Sequence, residues 1–338
     1  GLNSNYGSPQ LYSNGFLKTL TNRNDIYNVL NGYKLSVHKG ANLSAWAGNP
    51  IVFGTYHGGG YEYTGDLQEW LIYPTLQGSQ SSIESNINSY YSLWDSSIVS
   101  SGLVFNLDAS FKSSYPGTGT AWYDISGRGN NNGTMTNGVS YGSTSGGVMT
   151  FDGVNDYVSC PLINTGNIFT VQVWAKISRF GGNLGGWNRG TLVSNSYNWG
   201  SNTGFFFFVT SQNSSSNSYV PTPGMETFSI SIGQDVTGAS ATIGSLANYV
   251  NKWVNLSVVV NGTNPIRLYM NGVEVQYAGQ GNGPSSINYN NICSIGSRIL
   301  ENSDYTQGSI GSVYMYNRAL SAAELLQNFN ATKTRFGL

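Results

Sequence analysis

The chain has 338 residues, a formal net charge of −1 and only 9% charged residues. It therefore lacks the clustered Lys and Arg that hold nucleic acid by displacing counterions from phosphates, and no apolar run approaches the roughly 18 residues that membrane insertion by a helix requires. Aromatic residues at 13% and apolar residues at 39% are enough to build packed cores, which argues against a disordered chain. The 44 glycines, set among many Asn, Ser and Thr, point to short strands joined by tight turns. Cys160 and Cys293 are too few for a disulfide framework. They are expected as two separate buried thiols, with a single bridge as the alternative.

In chain order, the first unit carries two histidines, His38 and His57. His57 precedes a glycine run, "HGGGY", but no G-x-S-x-G elbow accompanies it, so both are expected as surface or turn residues. In "EYTGDLQE" a strand would place Glu62 and Asp66 on one face and Glu69 on the other, and Gly65 interrupts it. That is a chance acidic cluster, not the pair of carboxylates that flanks a glycosidic bond. A strand over Leu67–Tyr73 is followed by "SQSSIESNINSYY", where Ser81 and Glu84 have capping-box spacing.

From residue 102 onward strands dominate. "GLVFNLDAS" alternates Leu103, Phe105 and Leu107 on one side. "GRGNNNG" lies between strands with no helix after it, so it reads as a turn and not a phosphate loop. "GVMTFDGVNDYVS" sets Met149 and Phe151, then Tyr157 and Val158, around a turn. "FTVQVWAKIS" alternates Phe169, Val171, Val173 and Ala175 against Thr170, Gln172, Trp174 and Lys176. "FFFFV", "NKWVNLSVVVNG" and "IRLYMNGVEVQY" follow, and Asn271-Gly272 in the last predicts a type I′ hairpin. The chain closes with a strand over Ile310–Tyr316 and a helix "SAAELLQNFNAT". Ser321 and Glu324 form its capping box, and Leu325, Leu326 and Phe329 its apolar face. The same strand–turn–helix order therefore occurs twice, at residues 65–91 and 308–329, which predicts two related domains.

The insert "GGNLGGWNRGTLVSNSYNWGSNTG" presents Trp187, Tyr197 and Trp199 among Asn and Gly. Sugar rings stack on flat aromatic faces while neighbouring amides bond their hydroxyls, and protein interfaces use the same residue types. These three are the candidate ligand-binding residues, for glycan or protein, with burial in the core as the competing role.

Residues 102–326 resemble the laminin-G-like, concanavalin A-type jelly-roll domains. The resemblance rests on "GLVFNLDAS", "AWYDISGRGNNNGT", "FDGVNDYV", "FTVQVWAKI", "NKWVNLSVVV", "IRLYMNGVEV", "SIGSR" and "GSIGSVYMYNRALSAAE", in the family's order. It implies an all-β, concanavalin A-like antiparallel β-sandwich (jelly roll) with a short C-terminal helix over residues 99–338. Residues 1–98 would then be the C-terminal portion of a first, partial related unit. Its upstream part is expected to be missing, Gly1 standing where Met would begin a chain; completion by a neighbour is the alternative. Many such domains hold Ca²⁺, which wants six to eight oxygens from flexible loops. Asp124 and Asn130 in "DISGRGN", and Asp152, Asn155 and Asp156 in "DGVND", are the residues that would contribute, unless they serve only to cap turns.

The ending "YNRALSAAELLQNFNATKTRFGL" resembles domains on tailed-phage virion proteins, especially those of marine cyanophages. That implies a non-enzymatic structural protein on the virion surface, as a capsid decoration, fibre or tail-associated component. Its partners would be other virion proteins or copies of itself, together with cell-surface glycans. A secreted carbohydrate-binding lectin or adhesin is the alternative. No catalytic constellation is present in the sequence.

Overall fold

The computed structural model divides the chain into two compact units, Gly1–Tyr91 and Ser92–Leu338. It describes three short strands of the first and, in the second, residues 97–127, 131–179, 189–198, 203–210, 226–233, 237–244, 246–298, 300 and 302–338. In the first unit, β1 (Gln10–Ser13), β2 (Phe16–Lys18) and β3 (Ser36–Lys39) form an antiparallel sheet in the order β2-β1-β3. The repeated strand and helix near residues 65–91, the acidic cluster at 62–69 and His57 lie outside the described residues.

The second unit contains β4 (Leu103–Asp108), β5 (Ala121–Trp122), β6 (Gly133–Thr136), β7 (Ser140–Gly142), β8 (Val148–Asp152), β9 (Tyr157–Cys160), β10 (Ile168–Arg179) and β11 (Arg189–Asn198). It continues with β12 (Thr203–Thr210), β13 (Glu226–Ile232), β14 (Thr237–Gly244), helix α1 (Leu246–Tyr249), β15 (Trp253–Asn261), β16 (Arg267–Met270), β17 (Val273–Glu274), β18 (Tyr277–Gln280), β19 (Cys293–Ile295), β20 (Gln307–Tyr316) and helix α2 (Ala322–Thr332). All named strand pairings are antiparallel. One sheet runs β17-β16-β15-β10-β20-β8-β7, with β4 also on β20. The other runs β18-β14-β13-β12-β11-β19-β9-β6-β5. The architecture is a concanavalin A-like β-sandwich. Among the described residues no helix is long and apolar enough to cross a membrane.

Strand alternation fills the space between the sheets. Phe105, Met149, Val171, Val173, Leu256, Val258 and Val313 come from the first sheet; Val158, Phe205, Phe207, Phe228, Ile230 and Ile295 come from the second. Asn271 (φ 53°) and Gly272 (φ 77°) turn between β16 and β17, both left-handed as a type I′ hairpin demands.

The outer face of the first sheet is covered by α2. Ser321 accepts from Glu324 N and the Glu324 carboxylate accepts from Ser321 N, the capping box the sequence predicts. Thr170, Gln172 and Trp174 point to this side and are as buried as their inward neighbours, because the helix lies over them. The apolar face is narrower than the sequence suggests: Leu325 is buried, Leu326 is 42% exposed, and Asn328 is buried in its place. Asn328 Nδ2 donates to Gln172 Oε1 and Tyr316 Oη, and its Oδ1 accepts from Val99 N at 2.8 Å.

A second departure concerns Leu103. Alternation groups it with Phe105 and Leu107, but the β4–β20 register shifts between Met315 and Tyr316. The irregularity turns Leu103 to the helix side, where it packs with Tyr314, Tyr316, Leu320 and Leu325.

Candidate functional site

The outer face of the second sheet is built around β12, whose eight residues are all buried. Four consecutive phenylalanines in a strand send two rings to each side. Phe205 and Phe207 enter the core, while Phe206 and Phe208 stack on the outer face with centroids 4.4 Å apart. Phe206 and Phe208 lie opposite Ser231 and Ser229 of β13, so the rings meet a strip of small polar side chains.

Two arginines complete this face. Arg298 lies over Phe206 at 5.2 Å and over Tyr197 at 5.8 Å, and Arg189 lies over Phe208 at 5.0 Å. Arg298 pairs with Asp304 at 3.0 Å, both side chains less than 5% exposed. A guanidinium desolvated against rings gains about 2 kcal/mol from cation–π attraction, and the carboxylate supplies the counter-charge that a buried cation needs. Asp304 is itself held firmly. It has a left-handed backbone (φ 57°), and its carbonyl accepts from both the amide and the hydroxyl of Thr191 in β11. Neither arginine nor the outward pair of phenylalanines was singled out in the sequence. The signal for them was the unbroken FFFF run, since a strand exposed on one face would not spend aromatic residues on both.

Of the aromatic candidates, Tyr197 belongs to this stack. It is fully buried, with its ring 5.5 Å from that of Phe206. Trp187 and Trp199 lie outside the described residues. The ends of β11, Arg189 and Asn198, are where the segments carrying those tryptophans leave the strand, at opposite ends of its ten residues.

The carboxylates suggested for calcium fall into two separate turns. Asp124 is buried, and its Oδ1 accepts from the amides of Asn106 and Ser126 at 3.0 and 2.9 Å. Asn132 Oδ1 accepts from the Asp124 amide, and Asn130 lies outside the described residues. Asp152 and Asp156 come together at the β8–β9 turn. Asp152 Oδ1 caps the amides of Val154 and Asn155, and the Asp152 amide donates to Asp156 Oδ2 at 3.0 Å. The carbonyl of Asn155 accepts from Asn137 Nδ2. Asp156 Oδ1 is buried without a hydrogen-bond partner among the described residues. Burial, and to a lesser degree the neighbouring Asp152 charge, raises the Asp156 carboxyl above its ordinary range. Among the described residues no three His, Cys, Asp or Glu side chains converge as metal ligands.

Three further acids are engaged in ion pairs: Asp108 with Arg335, Glu274 with Arg267 and Glu324 with Arg318. Among the described residues the geometry fits a rigid scaffold, with α2 over the outer face of one sheet and the arginine–aromatic stack on the outer face of the other.

Comparison with known proteins agrees with this architecture. Residues 152–326, just over half of the chain, match the model of the concanavalin A-like lectin/glucanases superfamily. No curated protein matches the sequence. Solved structures similar to it include the receptor-binding domain of botulinum neurotoxin type G, at 16% identity over 68% of this chain and 51% of that one (TM-score 0.46). The binding domain of botulinum neurotoxin serotype D is 17% identical over 69% of this chain and 52% of that one (TM-score 0.49). The binding domain of paraclostridial mosquitocidal protein 1 is 18% identical over 68% and 52% (TM-score 0.48). The chain thus spans about half the length of these structures. By the family model and its own strand order, it belongs to the concanavalin A-like lectin/glucanases superfamily.

Proposed function

We propose that this chain is a non-catalytic recognition protein of a tailed-phage virion. In this reading it is a capsid-decoration, fibre or tail-associated component that displays its jelly-roll domain on the particle surface and engages host-surface glycans. The observation that carries the reading is the closed arginine–aromatic stack on the outer face of the second sheet. It gives β11 a rigid seat, and the segments bearing Trp187 and Trp199 leave from the two ends of that strand. A strand held on a stiff sheet loses less entropy on binding than a mobile one, and the flat face of a tryptophan suits a sugar ring. The engagement of Asp108, Asp304 and Glu324 in ion pairs and of Asp152 in a turn supports a role without bond cleavage. The virion placement draws on the resemblance of the C-terminal segment, with other virion proteins or copies of this chain as the assembly partners.

A glycan-array screen of the purified chain, with calcium and again with chelator, tests the binding half. Binding that is lost in Trp187→Ala or Trp199→Ala, while the thermal midpoint stays unchanged, supports it; no binding to any sugar overturns it. Immunodetection on purified particles tests the virion half, and a protein found free in the medium with sugar-binding activity would favour a secreted lectin instead.

A further inference from the structure

The second sheet has a narrow seam. Strands β18 to β11 form one part of it and β9, β6 and β5 the other, and among the described residues β19 alone joins them. β19 is three residues long, pairing three positions with β11 on one side and three with β9 on the other. Cys293 is the first of those residues, and its register partner on β9 is Cys160. Both are buried in the core as free thiols, Cys160 at 2% exposure and Cys293 at 0%, and they face each other across the β9–β19 ladder. They are the two cysteines of the chain.

Directly opposed residues on antiparallel neighbours have Cα atoms about 4.5–5.5 Å apart, inside the range of about 4.4–6.8 Å that disulfides span. From the facing register of these two thiols we propose that Cys160 and Cys293 form a cross-strand disulfide that covalently closes the seam of the second sheet. The oxidant is a small-molecule disulfide such as oxidised glutathione. One cysteine thiolate attacks it, forming a mixed disulfide and expelling one glutathione thiolate. The second cysteine thiolate then attacks the protein-bound sulfur and expels the other. Two cysteine protons and two electrons are lost by the chain, and two glutathione molecules are released reduced. In the closed core the partner thiol beside it, and burial, hold the Cys160 thiol well above its ordinary range. The bond therefore forms while the chain folds, before the core excludes the oxidant.

The test uses the full chain, unfolded and refolded with oxidised glutathione or with excess reductant, then denatured and treated with a maleimide polymer. After oxidative refolding we expect no reactive thiol, a mass lower by two hydrogen atoms, a single proteolytic fragment joining Cys160 to Cys293, and a monomer on a non-reducing gel. The oxidised chain should melt about 10 °C above the reduced one, a difference that Cys160→Ser abolishes. Two reactive thiols after oxidative refolding, persistent glutathione adducts, or disulfide-linked dimers would each overturn the proposal. The fragment map decides the matter on the unaltered chain, even if the serine variant fails to fold.

Discussion

The indole Nε1 of Trp174 donates to the hydroxyl of Thr332 at 2.8 Å, fastening the middle of β10 to the last turn of α2. The same hydroxyl donates to the Asn328 carbonyl at 2.9 Å, and the rings of Phe329 and Phe336 stack on the indole. Thr332→Val keeps the shape but leaves the indole N–H buried and unpaired, which costs about 1–3 kcal/mol. Thr332→Ser keeps the hydroxyl and should lose less. Urea unfolding followed by tryptophan fluorescence measures both, and a valine variant as stable as the wild type, with the loss confined to the serine variant, would show that the methyl group, not the hydrogen bond, matters.

Arg335 and Asp108 form the other clasp between the C-terminus and the sheet. Their Nη1–Oδ1 distance is 2.6 Å, and Asp108 is 1% exposed. Tyr314 donates to the second carboxylate oxygen, and the guanidinium also reaches the carbonyls of Gly147 and Gly311. Arg335→Met strands a buried carboxylate and should cost about 3–5 kcal/mol. Adding Asp108→Asn removes the orphaned charge and should recover part of that loss. A double-mutant cycle by denaturant unfolding reads the coupling, and strictly additive losses would deny it.

Glu324 links the helix cap to acid stability. Arg318 holds its carboxylate bidentately at 2.6 and 3.0 Å, and with the Ser321 amide and hydroxyl lowers its pKa to about 2. A folded-state pKa below the unfolded value means stability that is complete above about pH 4.5 and is lost as pH falls toward 2. The pair is partly solvated, so the screened contribution is about 1 kcal/mol. Glu324→Gln should be less stable at pH 7 and should flatten the pH dependence between 4.5 and 2. An unchanged acid limb in that variant would move the effect to another group.

What the sequence made legible was local chemistry. Ser321 with Glu324 and Asn271 with Gly272 announce themselves because cap and turn are decided within a few residues. The alternation in "FTVQVWAKIS" also sorted its residues onto the faces they occupy. What it hid depends on partners far along the chain. Leu103 changes side because of a register shift against Met315 and Tyr316. Asn328 is buried within an otherwise ordinary helix because Gln172, Tyr316 and Val99 meet it there. The outward Phe206 and Phe208 make sense only once Arg298 and Arg189 lie over them. Tyr197, singled out as an aromatic among Asn and Gly, is buried in that stack against Phe206.

Asp156 offers a test of what the β8–β9 turn holds. Its folded-state pKa is raised, so its charged form is disfavoured in the fold. The sign is opposite to that of Glu324: Asp156 costs nothing at pH values where it is protonated in both states, destabilises progressively as pH rises through its unfolded value, and does so fully above its raised folded value. In the presence of chelator, Asp156→Asn should therefore stabilise the chain at pH 7 by up to about 1 kcal/mol, with the gain vanishing near pH 3. The asparagine oxygen can still accept from the Asp152 amide, so the turn itself is kept. Thermal melts of both proteins in chelator and in millimolar calcium complete the experiment. If calcium raises the midpoint of the wild type but not of Asp156→Asn, and the substitution brings a loss in place of a gain, then the carboxylate is a cation ligand. If calcium moves neither midpoint and the variant is the more stable, Asp152 and Asp156 are turn-forming residues whose second charge the fold merely tolerates.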